Sequence, residues 1–111
     1  MKVYFRSKKL QKVCSEQREM AKQFGKDMAG KLQQRLAELG AADSLADISY
    51  LPPARCHELS GSLKGHFSVD LVHPYRLLFV PADDPVPVND FGGIDRNLVR
   101  SIEIVEIRDT H

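Results

Sequence analysis

No stretch of these 111 residues approaches the ~20 consecutive apolar residues of a membrane-spanning helix. The N-terminus, MKVYFRSKKL, is basic but has no apolar segment of the kind a secretory leader carries. The two absences give a cytoplasmic expectation, with no membrane partner. Cysteine is scarce: Cys14 and Cys56 form neither a metal-binding spacing nor a disulfide framework. They read as buried thiols, suited to a reducing compartment. There is no Gly-rich phosphate loop, no G-x-S-x-G elbow and no H-E-x-x-H helix. His57, His66, His73 and His111 include no pair at zinc-ligand spacing, so no metal and no cofactor is expected. Internal repeats and low-complexity tracts are also missing. The length fits one domain over residues 1–111.

What is present suits an ordinary globular domain: 42% apolar and 28% charged residues. A chain of this size buries roughly two-thirds of its unfolded surface and folds without staples. The net charge of +1 hides an asymmetry. Residues 1–40 carry ten Lys/Arg against four Asp/Glu, and residues 41–111 carry six against eleven. That pattern predicts either a basic face for phosphates or an acidic partner, or simply two solvated helix faces.

Lys2–Phe5 is β-prone and predicts a first strand. Ser7 is an N-cap candidate. Leu10, Val13, Cys14, Met20, Ala21 and Phe24 give one apolar stripe of a helix from Lys8 that Gly25 ends. Met28, Ala29, Leu32, Leu36 and Leu39 predict a second helix, ended by Gly40. The two form an antiparallel hairpin whose exposed faces carry Lys8, Lys9, Lys12, Arg18, Lys22, Lys26, Lys31 and Arg35. Ser44–Asp47 resembles a capping box, and Pro52 and Pro53 stop any helix. Arg55–Leu59 predicts a short strand and Ser60–Gly65 a turn. Phe67, Val69 and Leu71 alternate with His66, Ser68 and Asp70, a strand with one buried face. His73-Pro74 makes a turn into Tyr75–Val80, nearly all apolar and therefore central. Pro81–Arg100 has no periodicity; a loop of that length is mobile or functional. Ser101–Arg108 is a last strand whose apolar phase slips between Ile104 and Val105, as at a bulge. The expected fold class is α+β, two layers, a helical hairpin on a small, mostly antiparallel sheet.

Polar groups at strand ends carry the candidate chemistry. His57, Lys64 and Arg76 lie in the 55–80 stretch, and Asp109 and His111 follow the last strand. If these strands are neighbours, two imidazoles, a carboxylate and cations converge. Such a set suits phosphodiester cleavage without a metal, by proton transfer and charge stabilisation. A histidine in a strand is also an ordinary structural residue.

The element order and three motifs resemble a known family. The motifs are RCHELSGSLKG at Arg55–Gly65, SVDLVHPYRLLF at Ser68–Phe79, and IEIVEIRDTH at Ile102–His111. The chain is similar to the HigB-like, killer-protein branch of the RelE/ParE toxin superfamily. The resemblance implies the toxin of a type II toxin–antitoxin system, an endoribonuclease that cuts mRNA on the ribosome. It implies a cognate antitoxin as partner, DNA being reached only through that antitoxin. His57, Lys64, Arg76, Asp109 and His111 match the family's catalytic positions. The preferred roles make His111 the general acid. Lys8, Lys9, Lys12, Lys22, Arg55 and Arg108 are then the candidate RNA contacts. One departure is Thr110, where such toxins carry tyrosine; Tyr75 and Phe91 are the aromatic residues able to stand in. Another is the 81–100 loop, expected as a flap over the site or an antitoxin contact. The superfamily also includes ParE-like inhibitors of DNA gyrase, and a degenerate toxin that only binds antitoxin is a further alternative.

Overall fold

The computed structural model of the chain describes residues 1–109. Lys2–Phe5 (β1) is the expected first strand. Ser7 caps the next helix, its hydroxyl accepting from the Leu10 N–H at 3.1 Å. The expected first helix is two: Lys8–Ser15 (α1) and Gln17–Phe24 (α2), separated by Glu16 in an extended conformation. Ser15 to Arg18 are all exposed, so no core contact holds that turn helical, and packing rather than propensity sustains short helices. Gly25, at φ +87°, makes the corner into Lys26–Ala41 (α3). That helix runs past Gly40, because Leu39 in its last turn is buried. Ser44–Asp47 forms the expected capping box on a 3-10 turn.

The strands are His57–Glu58 (β2), Phe67–Asp70 (β3), Tyr75–Pro81 (β4) and Ser101–Asp109 (β5). β2 is shorter than the Arg55–Leu59 expectation. The sheet order is β1-β5-β4-β3-β2, with β1 parallel to β5 and the rest antiparallel. The expected slip in β5 is a bulge: Leu78 faces Glu106 but Phe79 faces Ile104, leaving Val105 over. α1 and α3 pack on β1. Phe67, Val69, Leu77, Phe79, Ile102 and Ile104 join the helices' Val13, Met20, Leu32 and Leu39 in one core.

β3 departs from the one-sided expectation. Ser68 is fully buried, as is its cross-strand partner Leu78, on the face away from that core. The 81–100 connection is tied down. The Asp83 carboxylate accepts from the backbone N–H groups of Arg100 and Ser101 and from the Ser101 hydroxyl. Burial pushes that carboxyl up, but these hydrogen bonds outweigh it and hold it below the usual carboxylate range. Arg96 donates to the Ile48 carbonyl and covers the Phe67 ring, and Val99 is buried.

Burial raises both thiols, Cys14 to about 11 and Cys56 to about 11, with Arg96 pulling Cys56 partly back. A free thiol titrates at 9.0. Above that value only the unfolded chain releases these protons, so this contribution to stability is complete below pH 9.0 and is lost as pH rises toward about 11. Iodoacetamide at about pH 8 should therefore label neither cysteine in the native protein and both in urea. Rapid native labelling would contradict the burial.

Candidate functional site

Cross-strand register builds two rows on the sheet face away from the helices. One row reads His57, Ser68, Leu78, Glu106; the next reads Asp70, Arg76, Arg108. Arg55 lies just outside β2 and reaches the second row through its side chain, at Asp70. The side chains then join as the rows require. Arg55 and Arg76 flank Asp70, with N···O distances of 3.4 Å to Oδ2 and 3.4 Å to Oδ1. Arg76 also lies 3.4 Å from His57 Nε2. The other ring nitrogen of His57, Nδ1, is 2.9 Å from the Arg55 carbonyl. A carbonyl only accepts, so Nδ1 carries the proton and the Nε2 lone pair faces Arg76.

Polar atoms without hydrogen-bond partners gather on this face. His66 Nδ1, Ser68 Oγ and Asp70 Oδ1 are buried and unsatisfied among the described residues. Ser68 and Asp70 stand at alternate positions of β3 and so share a side, and His66 immediately precedes that strand. Arg76 Nε is near enough to Asp70 Oδ1 for Coulomb attraction but is not aligned to donate. Clustered unpaired polar atoms are unusual in structural cores.

The row is fixed from behind by Arg35, which periodicity had placed on an exposed helix face. It is 2% exposed. Its Nε donates to the Asp70 carbonyl at 2.7 Å, its Nη2 to the Pro53 carbonyl at 3.1 Å, and its Nη1 pairs with Glu38 at 3.0 Å. The Asp70 N–H donates to the Ala54 carbonyl at 2.8 Å. The 53–55 segment is thereby locked to the end of β3. This matters because Arg55 adopts φ +50°, the left-handed region. A non-glycine residue there costs of order 1–3 kcal/mol and persists only when its surroundings impose it. One sequence signal marks Arg35: it stands three residues after Leu32 and four before Leu39, in phase with both apolar positions of the helix.

The other candidates are less convergent. Arg76 borders two clefts, one of about 220 Å³ with Arg55, Asp70 and Tyr75, and one of about 430 Å³ with Leu59, Leu63, Leu78 and Arg108. Arg108 reaches this face but is neutralised by Glu106 at 2.7 Å. Asp109 borders the second cleft, yet by register it faces Tyr75, one residue out of phase with Arg108. Lys64 is exposed at the end of the Gly61–Leu63 turn, and its side chain makes no hydrogen bond or ion pair among the described residues. Lys8, Lys9 and Lys12 on α1 and Lys22 on α2 are exposed; Lys9 lies near Glu106 and Ile107 of β5. Thr110 and His111 lie outside the described residues.

The 81–100 loop is not a flap over this site. It leaves β4 and enters β5 at the end of the sheet opposite Arg76 and Arg108. Phe91, in that loop, is therefore excluded as the stand-in for the family tyrosine, whereas Tyr75 is adjacent to Arg76. Among the described residues no group of three or more His, Cys, Asp or Glu is placed to hold a metal ion. No helix of the described residues is long and apolar enough to cross a membrane.

No family model matches the chain, and no curated protein matches it. Solved structures do. A YoeB/ParE toxin from Agrobacterium tumefaciens superposes with a TM-score of 0.59 at 12% identity, over 100% of both chains. A chain of a YoeB–YefM complex from Staphylococcus aureus gives 0.55 at 16% identity, over 100% of this chain and 98% of that one. The mixed fold of three helices and a five-stranded sheet is thus one that the chain shares with structures of that description.

Proposed function

We propose that the chain is a toxin of a type II toxin–antitoxin pair, in the HigB-like branch, and that it cleaves mRNA on the ribosome. The observation that carries this reading is the His57–Arg76–Asp70–Arg55 chain on the sheet face away from the helices, in a fold shared with structures of YoeB and ParE toxins. The basic α1 and α2 supply a face for RNA phosphates, and binding through them weakens as salt rises. The Staphylococcus structure is of a complex, which supports a protein antitoxin as the partner of this chain.

In the proposed reaction His57 Nε2 removes the proton of a ribose 2′-hydroxyl. The 2′-oxygen bonds to the adjacent phosphorus, the bond from phosphorus to the 5′-oxygen breaks, and that oxygen leaves with a proton from His111. The products are a 2′,3′-cyclic phosphate and a 5′-hydroxyl. The Arg76 guanidinium holds the charge that builds on the phosphoryl oxygens. Asp70 keeps Arg76 in place, and Tyr75 offers a ring for a neighbouring base. Lys64 and Asp109 are assigned to substrate binding, Asp109 at the cleft it borders with Arg76 and Arg108.

Induced expression in a bacterial host, with primer extension on cellular mRNA, tests the reading. Growth arrest with new 5′-hydroxyl ends is the expected result. Arrest without cuts, with gyrase supercoiling blocked by pure protein, would support the ParE-like alternative. Unimpaired growth would mark a toxin that only binds its antitoxin.

A further inference from the structure

The end of the sheet opposite Arg76 and Arg108 carries a feature that the proposed RNA cleavage does not use. Of the nine large apolar side chains exposed among the described residues, four lie in the 81–100 connection: Val86, Val88, Phe91 and Leu98. Phe91 is 98% exposed. Its segment is well fixed. Asn89 Oδ1 accepts from the N–H groups of Phe91 and Gly93 at 2.9 and 3.1 Å. The Asn89 N–H donates to the Gly93 carbonyl at 2.7 Å, and Val88 bridges Ile94. A bulky aromatic side chain carried on a fixed backbone loses little backbone entropy on being buried, which is the character of an interface anchor. Between residues 82 and 95 the loop carries Asp83, Asp84, Asp90 and Asp95 and no Lys or Arg. Such a surface repels phosphates and attracts a basic rim.

The chain itself has the complementary surface. Leu10 and Val13 of α1, Phe24 of α2 and Ile107 of β5 line a cleft of about 240 Å³, with Lys9 on its rim and Glu106, already paired with Arg108, beside it. A cavity of about 150 Å³ already accepts benzene. Lys8 and Lys12 are exposed on the same helix. The loop that bears the tip enters β5 at Ser101 and the cleft flanks residues 105–107, toward the other end of the strand.

We infer that the chain self-associates, the acidic Phe91 tip of one copy seating in the lysine-rimmed cleft between α1, α2 and β5 of a second. With the two β5 strands antiparallel, each tip meets the other copy's cleft, and a closed two-fold dimer results. The dimer covers Lys9 and its neighbours. On the proposed function, on which only this consequence rests, assembly and the grip on RNA then compete.

Sedimentation velocity of the full chain over a concentration series tests the inference. A dimer that dissociates as salt rises is expected. Phe91→Ser and, separately, Lys9→Glu with Lys12→Glu should each weaken it about tenfold or more. All three positions are exposed, so circular-dichroism melting should stay at the parent value. A monomer at every concentration overturns the inference, as does a dimer that Phe91→Ser leaves intact. So does a Phe91→Ser variant that loses affinity for single-stranded RNA without a change in mass, which would make the ring a nucleobase platform instead. None of these results depends on whether the chain cuts RNA.

Discussion

Replacing Arg76 with alanine is expected to lower single-turnover cleavage of ribosome-bound mRNA by roughly 10²–10³-fold, the loss typical of removing one preorganised donor to a developing oxyanion. Arg76 is the hub of the row. It is held by Asp70 on one side and stands against the unprotonated Nε2 of His57 on the other. His57→Ala should cost a comparable 10²–10⁴-fold through loss of the base. Because the two groups touch, their losses should not multiply. The double variant should be little worse than the poorer single one, as found for residues that act as a unit. Arg76→Lys should recover only a small part, since an ammonium cannot face Asp70 and His57 at once as the planar guanidinium does. Arg76→Ala with unchanged cleavage would remove the proposed site. Fully multiplicative losses would leave both residues active but uncouple them.

Arg35→Met is expected to destabilise the fold by roughly 2–5 kcal/mol, read from urea midpoints. The substitution leaves the Asp70 and Pro53 carbonyls without their buried donor, at about 1–3 kcal/mol each. It also strips Glu38 of its partner, a smaller effect because that side chain is 40% exposed. Arg35→Lys is the more telling variant. It keeps a charge but cannot span two carbonyls and a carboxylate, so it should fold while loosening the 53–55 segment. With Arg55 in a left-handed conformation that only its surroundings impose, faster amide exchange at Arg55 and Asp70 is expected, with a lower kcat under conditions where the variant is fully folded. A variant with parent-like exchange and kcat would confine Arg35 to general stability.

Much of the architecture was legible because it is written in periodicities. The strand at Lys2–Phe5, the Ser7 cap, the corner at Gly25 and the bulge beside Val105 each rest on residues close in sequence. Errors came where tertiary contacts overrode local preference. The helix breaks at Glu16 with neither proline nor glycine, because the turn there buries nothing. Ser68 was read as outward-facing because alternation assumes one covered face, whereas both faces of β3 are covered. Arg35 was read as solvated because a charged residue on a helix is usually so, and only the chain segment that crosses over it supplies its three partners.

The candidate site divides along the same line. Which residue types were present, and that His57 and Arg76 bracket the central hairpin, followed from the sequence and its resemblance to the HigB-like toxins. Their meeting did not. It depends on the register β2–β3–β4–β5, a long-range alignment that brings positions 19 residues apart to 3.4 Å and sets Asp109 one residue out of phase with Arg108. The loop at 81–100 shows the same limit. Its composition predicts a mobile or functional segment, but only the sheet's direction decides that it joins β4 to β5 at the end away from Arg76 and Arg108. By itself the sequence determined the alternations, caps and turns, which are governed by a residue's immediate neighbours. The tertiary structure decided which of the resulting side chains share a face, because strand register and burial are set by contacts between segments far apart in the chain.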